Sequence, residues 1–242
     1  MPQGAVWAAA LKGDVKRLKT ALIHSSTEEV DDNGNTALFA AIQEGSFEAA
    51  YILICAGADL TATRSPGAVT LLGEAIACSR TAIVRLLLAH PRMDHRCATY
   101  TGGNASGAVV GNTAIHAAVQ EGRTPILTLL LRDDRFDVNA VNSQGSTALF
   151  AAAMAGQAVA VAKLLAHPRI DVNASNCVGW TALHAAAMSP MSSSDVLTLL
   201  LADPRVNVRE VDIGGRTALD NALIAGFPDR VSLLEADPRC AR

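Results

Sequence analysis

The feature that most constrains this chain is a short motif, led by threonine, that occurs six times at nearly constant spacing. Its clearest copies read Thr-Ala-Leu, and the steps between successive threonines are 34, 43, 34, 34 and 36 residues. The threonines are Thr36, Thr70, Thr113, Thr147, Thr181 and Thr217. A fixed period of about 20–50 residues is typical of repeat arrays, in which short units stack to bury apolar surface that none could bury alone.

The residues around each threonine predict one pair of helices per unit. Threonine is a good helix N-cap because its hydroxyl accepts a hydrogen bond from a free amide of the first turn. Small residues follow the motif, and then a leucine-rich run such as Ile126–Leu131. A turn with proline, such as His167–Arg169, stops the second helix. Two residues before five of the threonines stands a glycine for which we expect positive φ: Gly34, Gly111, Gly145, Gly179 and Gly215.

These motifs resemble those of the ankyrin-repeat family, whose period is about 33 residues and whose signature is T-P-L-H-x-A. The best matches are Thr181–Ala186 and Thr113–Ala118, with alanine in place of proline. The segment Cys55–Asp59 is similar to the Gly-Ala-Asp connector of the family. The resemblance implies an all-α fold, a solenoid of stacked helix-turn-helix units with finger loops like β-hairpins.

We expect a single domain of seven repeats over residues 1–242. The first unit lacks the motif, but Val6–Asp14 and Val15–Ile23 have the character of its two helices, as in a terminal repeat that shows one side to water. A second capping repeat is expected from Thr217 onward. The predicted repeats are residues 1–30, 31–64, 65–107, 108–141, 142–175, 176–211 and 212–242.

The 43-residue step contains an insertion rich in glycine, serine and asparagine, around Cys97–Gly107. In an ankyrin unit it would lengthen the hairpin finger between the third and fourth repeats. Two interpretations stay open at this point. The insertion is either a tolerated surface loop or a long finger that carries Tyr100 to a partner.

Composition and charge narrow the class of partner. The formal net charge is −3, without a long run of Lys or Arg, which disfavours nucleic acid and anionic membranes. The uncharged stretch Val138–Ala162 is interrupted by Asn, Gln and Gly and follows the repeat, so we do not interpret it as a membrane span. Five widely spaced cysteines and no signal-peptide pattern predict a reducing compartment, the cytoplasm or also the nucleus. We expect a monomer.

No combination of residues predicts catalysis, a cofactor or a metal site. His116 and His184 hold the last position of the motif, where the resemblance implies a hydrogen bond near the helix start. His90, His95 and Cys97 are the nearest approach to a ligand cluster, but their spacing fits no standard zinc pattern. Motifs for phosphate, dinucleotide or acyl-enzyme chemistry are absent from the sequence. We therefore predict a protein that is not an enzyme.

The resemblance places partner contacts on the concave face, which finger tips and the ends of the first helices form. The residues predicted for this face are Asn35, Gln43, Glu44, Asn112, Gln120, Glu121, Ser143, Gln144, Ser146, Met154, Val178, Trp180, Met188, Ile213 and Arg216. In the last three repeats they include Met, Trp and Arg, which interface cores favour. We expect a peptide or protein surface to lie across this face, anchored by Trp180 together with Met154, Met188 and Arg216.

The leading hypothesis is an adaptor, scaffold or inhibitor that binds another protein and does no chemistry. A regulatory ankyrin fragment of a larger enzyme or channel, or a pathogen effector, would carry the same pattern.

Overall fold

The computed structural model of the protein describes residues 4–32, 34–64, 69–93, 99–103 and 109–240. In this part of the chain, fourteen helices follow one another in seven consecutive pairs, which we number as repeats one to seven. They are α1 Ala5–Leu11, α2 Val15–Ala21, α3 Ala37–Glu44, α4 Phe47–Cys55, α5 Leu71–Ala77, α6 Thr81–Ala89, α7 Ala114–Gln120, α8 Thr124–Leu131, α9 Ala148–Met154, α10 Ala158–Leu165, α11 Ala182–Met188, α12 Ser194–Ala202, α13 Ala218–Ala225 and α14 Pro228–Ala236. The strands are β1 Thr63–Arg64, β2 Val69–Thr70, β3 Thr99–Gly103 and β4 Val109–Thr113. The predicted all-α class is confirmed.

The helices stack in two layers. The chain divides into two compact units, Met1–Ala117 and Ala118–Arg242. Within the first unit α3 packs between α1 and α5, and α4 packs between α2 and α6. Within the second unit α11 packs between α9 and α13, while α8, α10, α12 and α14 follow one another side by side. First helices therefore contact first helices and second helices contact second helices, as stacked helix pairs require. The exact limits of the repeats stay a prediction.

The first helices are buried on more sides than the second helices. In α11 six of the seven residues are buried, and four of those are alanines. In α12 only Val196, Leu197 and Leu200 are buried. Alanine side chains are small enough for a helix to be packed on several sides at once, whereas a helix with a single apolar stripe faces water on its other side.

The threonine of the motif caps the first helix, as predicted. Its Oγ1 accepts a hydrogen bond from the backbone N–H three residues later, which satisfies one free donor of the first turn. The N···Oγ1 distances are 3.4 Å from Phe39 to Thr36, 3.0 Å from Gly73 to Thr70, 3.5 Å from His116 to Thr113, 3.3 Å from Phe150 to Thr147 and 3.3 Å from Asp220 to Thr217.

His184 extends this cap, in agreement with the structural role implied by the family resemblance. Its Nδ1 accepts a hydrogen bond from the backbone N–H of Thr181 at 3.2 Å. Its Nε2 lies 3.2 Å from the carbonyl oxygen of Arg216 in the next repeat, so the neutral ring with its proton on Nε2 satisfies both partners. Burial lowers the pKa of His184, and this effect outweighs the neighbouring carbonyl and carboxylates that raise it.

Positive φ is confirmed at four of the five predicted glycines: 76° at Gly34, 70° at Gly145, 77° at Gly179 and 72° at Gly215. The prediction is wrong for Gly111, which lies within β4 opposite Thr101. The insertion lengthens this finger. The glycine two residues before the motif threonine, which forms part of a tight turn in the other repeats, therefore lies in an extended strand here.

The strands of that long finger confirm the predicted extension of the hairpin. β3 and β4 pair antiparallel, with Thr99 opposite Thr113 and Gly103 opposite Val109. The remaining residues of the insertion, 94–98 and 104–108, lie outside the described residues. Contact between Tyr100 and a partner stays an open hypothesis.

Polar side chains connect successive repeats at the C-terminal ends of the first helices. There the last carbonyls lack partners within their own helix. Arg80 Nε donates to the carbonyl of Ile42 at 3.3 Å, and Gln157 Nε2 donates to the carbonyl of Val119 at 2.7 Å. In the last two repeats Ser189 Oγ donates to the Met154 carbonyl at 2.6 Å, and Arg230 Nη1 donates to the Ala187 carbonyl at 3.1 Å.

The step from Thr181 to Thr217 is two residues longer than the usual 34, and the extra residues lie in the loop between α11 and α12. This loop packs closely over Gly156. A Cβ atom on Gly156 would lie 2.1 Å from the carbonyl oxygen of Met191 in this loop. The next residue, Ser192, accepts a hydrogen bond through its carbonyl from Arg230 of repeat seven. The loop therefore contacts the repeats on both sides of it.

This close approach predicts different costs for the same substitution at two glycines. Gly156 and Gly226 have φ values of 70° and 73°, but nothing lies within 4 Å of a Cβ at Gly226. We expect Gly226→Ala to lower the free energy of unfolding by about 1–2 kcal/mol, the cost of left-handed backbone. Gly156→Ala should cost more, because the loop must also move. Urea denaturation of both variants measures this, and equal losses would contradict the contact.

The buried imidazole of His184 predicts a loss of stability in mild acid. Its pKa is lowered in the folded protein, so the unfolded chain binds more protons below a pH of about 6.5, and the free energy of unfolding falls as the pH drops through that value. Urea denaturation between pH 7.5 and 5.5 should show a shallower pH dependence for His184→Gln than for the wild type. His24→Gln, at an exposed histidine, is the control, and an unchanged slope in His184→Gln would refute the assignment.

Candidate partner-binding surface

An aspartate or asparagine five residues before the motif threonine closes each of four fingers. These residues are Asp31, Asn142, Asn176 and Asp212. The side-chain oxygen accepts backbone N–H groups from across the turn; Asn176 Oδ1, for example, accepts from Val178 at 3.1 Å and from Trp180 at 3.0 Å. Asp212 Oδ1 accepts in the same way from Gly214 and Arg216. Such bonds are a standard role of Asn and Asp in turns, and they set the conformation of the finger tips.

Three of the predicted contact residues are buried: Asn35, Asn112 and Ser146. All three stand directly before a motif threonine, and each takes part in a polar interaction within the protein. Asn35 Nδ2, for example, donates to Asp31 Oδ2 at 2.8 Å. This corrects the expectation that these three residues present their side chains to a partner. In repeats six and seven the same position holds larger residues, Trp180 and Arg216, which keep part of their surface exposed.

The other predicted residues have accessible surface. The exposed ones are Glu44, Gln120, Ser143, Gln144, Val178, Ile213 and Arg216. The half-buried ones are Gln43, Glu121, Met154, Trp180 and Met188. Gln43 donates through Nε2 to Glu74 Oε1 at 2.8 Å, so its amide already has a partner in repeat three.

Hydrogen bonds between backbones bring the finger tips of repeats five to seven together. The N–H of Cys177 donates to the carbonyl of Gln144 at 3.3 Å, and the N–H of Ile213 donates to the carbonyl of Val178 at 3.2 Å. The predicted tip residues Gln144, Val178 and Ile213 therefore form one continuous edge within the second compact unit. Asn35, Gln43, Glu44 and Asn112 belong to the first compact unit.

Trp180 is fixed between two fingers. Its indole Nε1 donates to Asp212 Oδ2 at 3.2 Å, and Arg216 Nε donates to the same oxygen at 3.1 Å. Burial of Asp212 by itself raises the pKa of its carboxyl, but the hydrogen bonds from Arg216, Trp180 and Gly214 hold that pKa well below its usual range. Asp212 therefore stays ionised and links repeats six and seven. Replacing Trp180 would disturb this link as well as the accessible surface.

Sequence reasoning missed one exposed apolar residue of this surface, Ile224. It stands seven residues after Thr217, the offset at which Met154 and Met188 follow their own threonines. Its side chain is 63% exposed. The signal was present in the sequence, because repeats two and four hold Gln43 and Gln120 at this offset and repeats five to seven hold Met, Met and Ile.

The described part of the chain places these apolar groups in two rows. Met154, Met188 and Ile224 lie at the ends of α9, α11 and α13, which pack side by side. Val178 and Ile213 lie on the finger edge, and Ile213 is 79% exposed. Apolar side chains that keep accessible surface in successive repeats are candidates for an interaction site, since their contact with water is unfavourable.

Neither a metal site nor a membrane span is found among the described residues. No group of three or more His, Cys, Asp or Glu side chains there could hold a metal ion, while His95 and Cys97 lie outside the described ranges. None of the described helices has both the length and the apolar character needed to cross a bilayer. The uncharged stretch discussed above instead contains α9 and the first part of α10.

Comparison with known families and structures agrees with this architecture. A family profile described as ankyrin repeats in three copies matches residues 115–212, and one described as an ankyrin repeat matches residues 33–65. Together the two matches cover more than half of the chain. No curated protein matches the chain by sequence.

Two solved structures are similar over nearly their whole length. The ankyrin-repeat domain of human ASB11 is 26% identical, with a TM-score of 0.72 over 96% of this chain and 98% of that one. The ankyrin-repeat domain of Bcl-3, a member of the IκB protein family, is 21% identical, with a TM-score of 0.79 over the same shares. The likeness to Bcl-3 shows the fold.

The capped helix pairs, the finger hairpins and the profile matches lead to one conclusion. Domains of this kind are in general non-catalytic modules for interaction between proteins, which bind through surfaces built from successive repeats. The chain belongs to the ankyrin-repeat family.

Proposed function

We propose that this protein is a non-catalytic adaptor, scaffold or inhibitor that binds an apolar segment of another protein on repeats five to seven. The contact surface consists of the finger edge and the ends of the first helices, which the family resemblance assigns to the concave face. The observation that supports this most is the recurrence of apolar residues with accessible surface, Met154, Met188 and Ile224, at the same place in three successive repeats, together with exposed Val178 and Ile213 on the finger edge.

The energetics favour binding at this surface. Burying an isoleucine side chain completely stabilises a complex by about 1.5–3 kcal/mol. Ile213 and Ile224 are both mostly exposed in the free protein, so most of that free energy is available to a partner. The hydrogen bonds between finger tips hold the edge in place, and a surface that is already ordered loses less entropy on binding.

Arg216 gives the same surface a polar contact. Its side chain is 45% exposed, and its Nε and Nη2 atoms bond to Asp212. A guanidinium has five N–H donors, so donors remain for a carbonyl or carboxylate of the partner. The ion pair with Asp212 also fixes the side chain before binding. We therefore propose a partner segment with apolar side chains and an accepting group beside them.

The remaining features of the hypothesis are also proposals. We propose that the protein acts as a monomer in the cytoplasm or nucleus, and that its partner is a protein rather than nucleic acid or a membrane. The formal net charge of −3 supports this choice of partner. The cysteines in the described ranges, Cys55, Cys78, Cys177 and Cys240, form no disulfide, which supports a reducing compartment.

Replacing the two isoleucines with aspartate tests the surface. We expect Ile213→Asp and Ile224→Asp each to weaken partner binding by about tenfold or more, since each loses apolar burial and brings a carboxylate into the interface. Both residues are exposed, so we expect the free energy of unfolding to change by only about 0.5 kcal/mol. Quantitative affinity capture would identify the partner, and titration calorimetry with the purified partner would give the affinities.

The matched control is Val159→Asp on α10, a second helix. Val159 is 60% exposed, similar to Ile224, but it stands on a second helix and belongs to neither the finger edge nor the ends of the first helices. A partner that is lost in Val159→Asp and retained by both isoleucine variants would place binding on another surface and overturn the proposal.

A further inference from the structure

The first helix pair carries a second candidate surface, which is separate from the proposed function. A groove of about 740 Å³ runs between α1 and α2. On α1 its lining residues include Ala5, Ala8 and Ala9, which share one side of the helix; Ala9 is buried, as are Val6, Trp7 and Ala10, which do not line the groove. On α2 it is lined by Lys16, Thr20 and Ala21, while Leu18 is buried on another side. The groove therefore lies on a side of the pair that α3 and α4 leave uncovered.

The floor of this groove is apolar and shallow. It is formed largely by alanine methyl groups, which allow the backbone of an incoming element to approach closely. Helices pack with their axes about 8–10 Å apart, and the smaller distances occur where the contact side chains are small. Since the helices that form the walls use their backbone N–H groups internally, the groove offers no free strand edge for an extended peptide.

The rim of the groove is basic. Lys12, Lys16, Arg17 and His24 line it, and Asp14 is the acidic residue among its lining side chains. Asp14 is already engaged, because its Oδ2 lies 3.3 Å from Arg17 Nε and its Oδ1 accepts the N–H of Arg17. Over the described part of the chain, no carboxylate lies within ion-pair distance of Lys12 or Lys16. An acidic ligand in the groove would complement the positive charge of its rim, and its carboxylates would accept hydrogen bonds from the ammonium groups of Lys12 and Lys16.

We propose that this groove docks an acidic amphipathic helix of a partner protein. The small apolar side of that helix packs against the alanines, and its carboxylates contact Lys12 and Lys16. An apolar floor flanked by cations fits an amphipathic helix, which presents an apolar stripe beside charged residues. A nucleic acid would match the lysines and leave the alanine floor without an apolar partner.

A designed peptide tests the proposal on the full chain. The probe is a fluorescein-labelled 18-residue helix with an alanine and leucine stripe flanked by glutamates; its counterpart carries lysines in place of the glutamates. Fluorescence anisotropy should show saturable binding of the acidic peptide that weakens with added salt. The basic peptide should bind at least about tenfold more weakly, which corresponds to 1.4 kcal/mol.

Two exposed lysines on α2 provide a matched pair of variants. Lys16 lines the groove and Lys19 does not, although both are exposed on the same helix. Lys16→Glu should reduce the affinity by about tenfold, and Lys19→Glu by less than about threefold. Ala8→Trp fills the floor and should abolish binding, while circular dichroism checks that each variant is folded. Lys16→Glu keeps the test decisive if Ala8→Trp unfolds.

Three results would overturn the proposal. The first is the absence of saturable binding to the wild-type protein. The second is an equal effect of Lys16→Glu and Lys19→Glu, which would indicate general charge attraction. The third is a folded Ala8→Trp variant that still binds the acidic peptide, together with single-stranded DNA that displaces the peptide as well as unlabelled peptide does. That result would show that the basic rim binds polyanions in general.

Discussion

The packing of each helix pair against the next is the interaction on which the rest of this structure depends. The helices are seven to nine residues long, and isolated helices shorter than about 12–15 residues are only marginally stable in water. Their stability must therefore come from contacts with neighbouring repeats. The alanine-rich first helices accept neighbours on several sides, and the leucines of the second helices fill the space between the layers.

This packing buries polar groups, and neighbouring repeats provide hydrogen-bond partners for several of them. At the ends of the first helices an arginine, a glutamine or a serine performs the same task, because what matters is a donor for a buried carbonyl. In the connectors of the second compact unit, Asn139 and Asn173 each donate to a carbonyl of the following repeat, at 2.7 and 2.8 Å. Each also accepts an N–H from that repeat, at 2.8 and 2.7 Å. The two connectors therefore use the same residue type, asparagine, for these bonds, whereas the helix ends use different residue types.

A frame held in this way leaves other positions free to differ between repeats. The residue seven places after the motif threonine is Gln in repeats two and four and apolar in repeats five to seven. Such a position contributes little to the frame, so its side chain can be adapted to a partner. The groove on α1 and α2 has a different origin, since it lies on a side of this helix pair that α3 and α4 leave uncovered.

The sequence by itself determined the features that depend on residues close together in the chain. The helix pairs, the threonine caps, four of the five positive-φ glycines and the long finger were predicted correctly, because capping and turn formation involve residues within about three to five positions. The general location of the candidate surface followed from the same offsets. Only the tertiary structure decided which of those residues are accessible. The burial of Asn35, the bond from Trp180 to Asp212 and the loop packed on Gly156 are contacts beyond the local motif. The last two join residues more than 30 positions apart, where the motif specifies that two repeats meet but not which atoms touch.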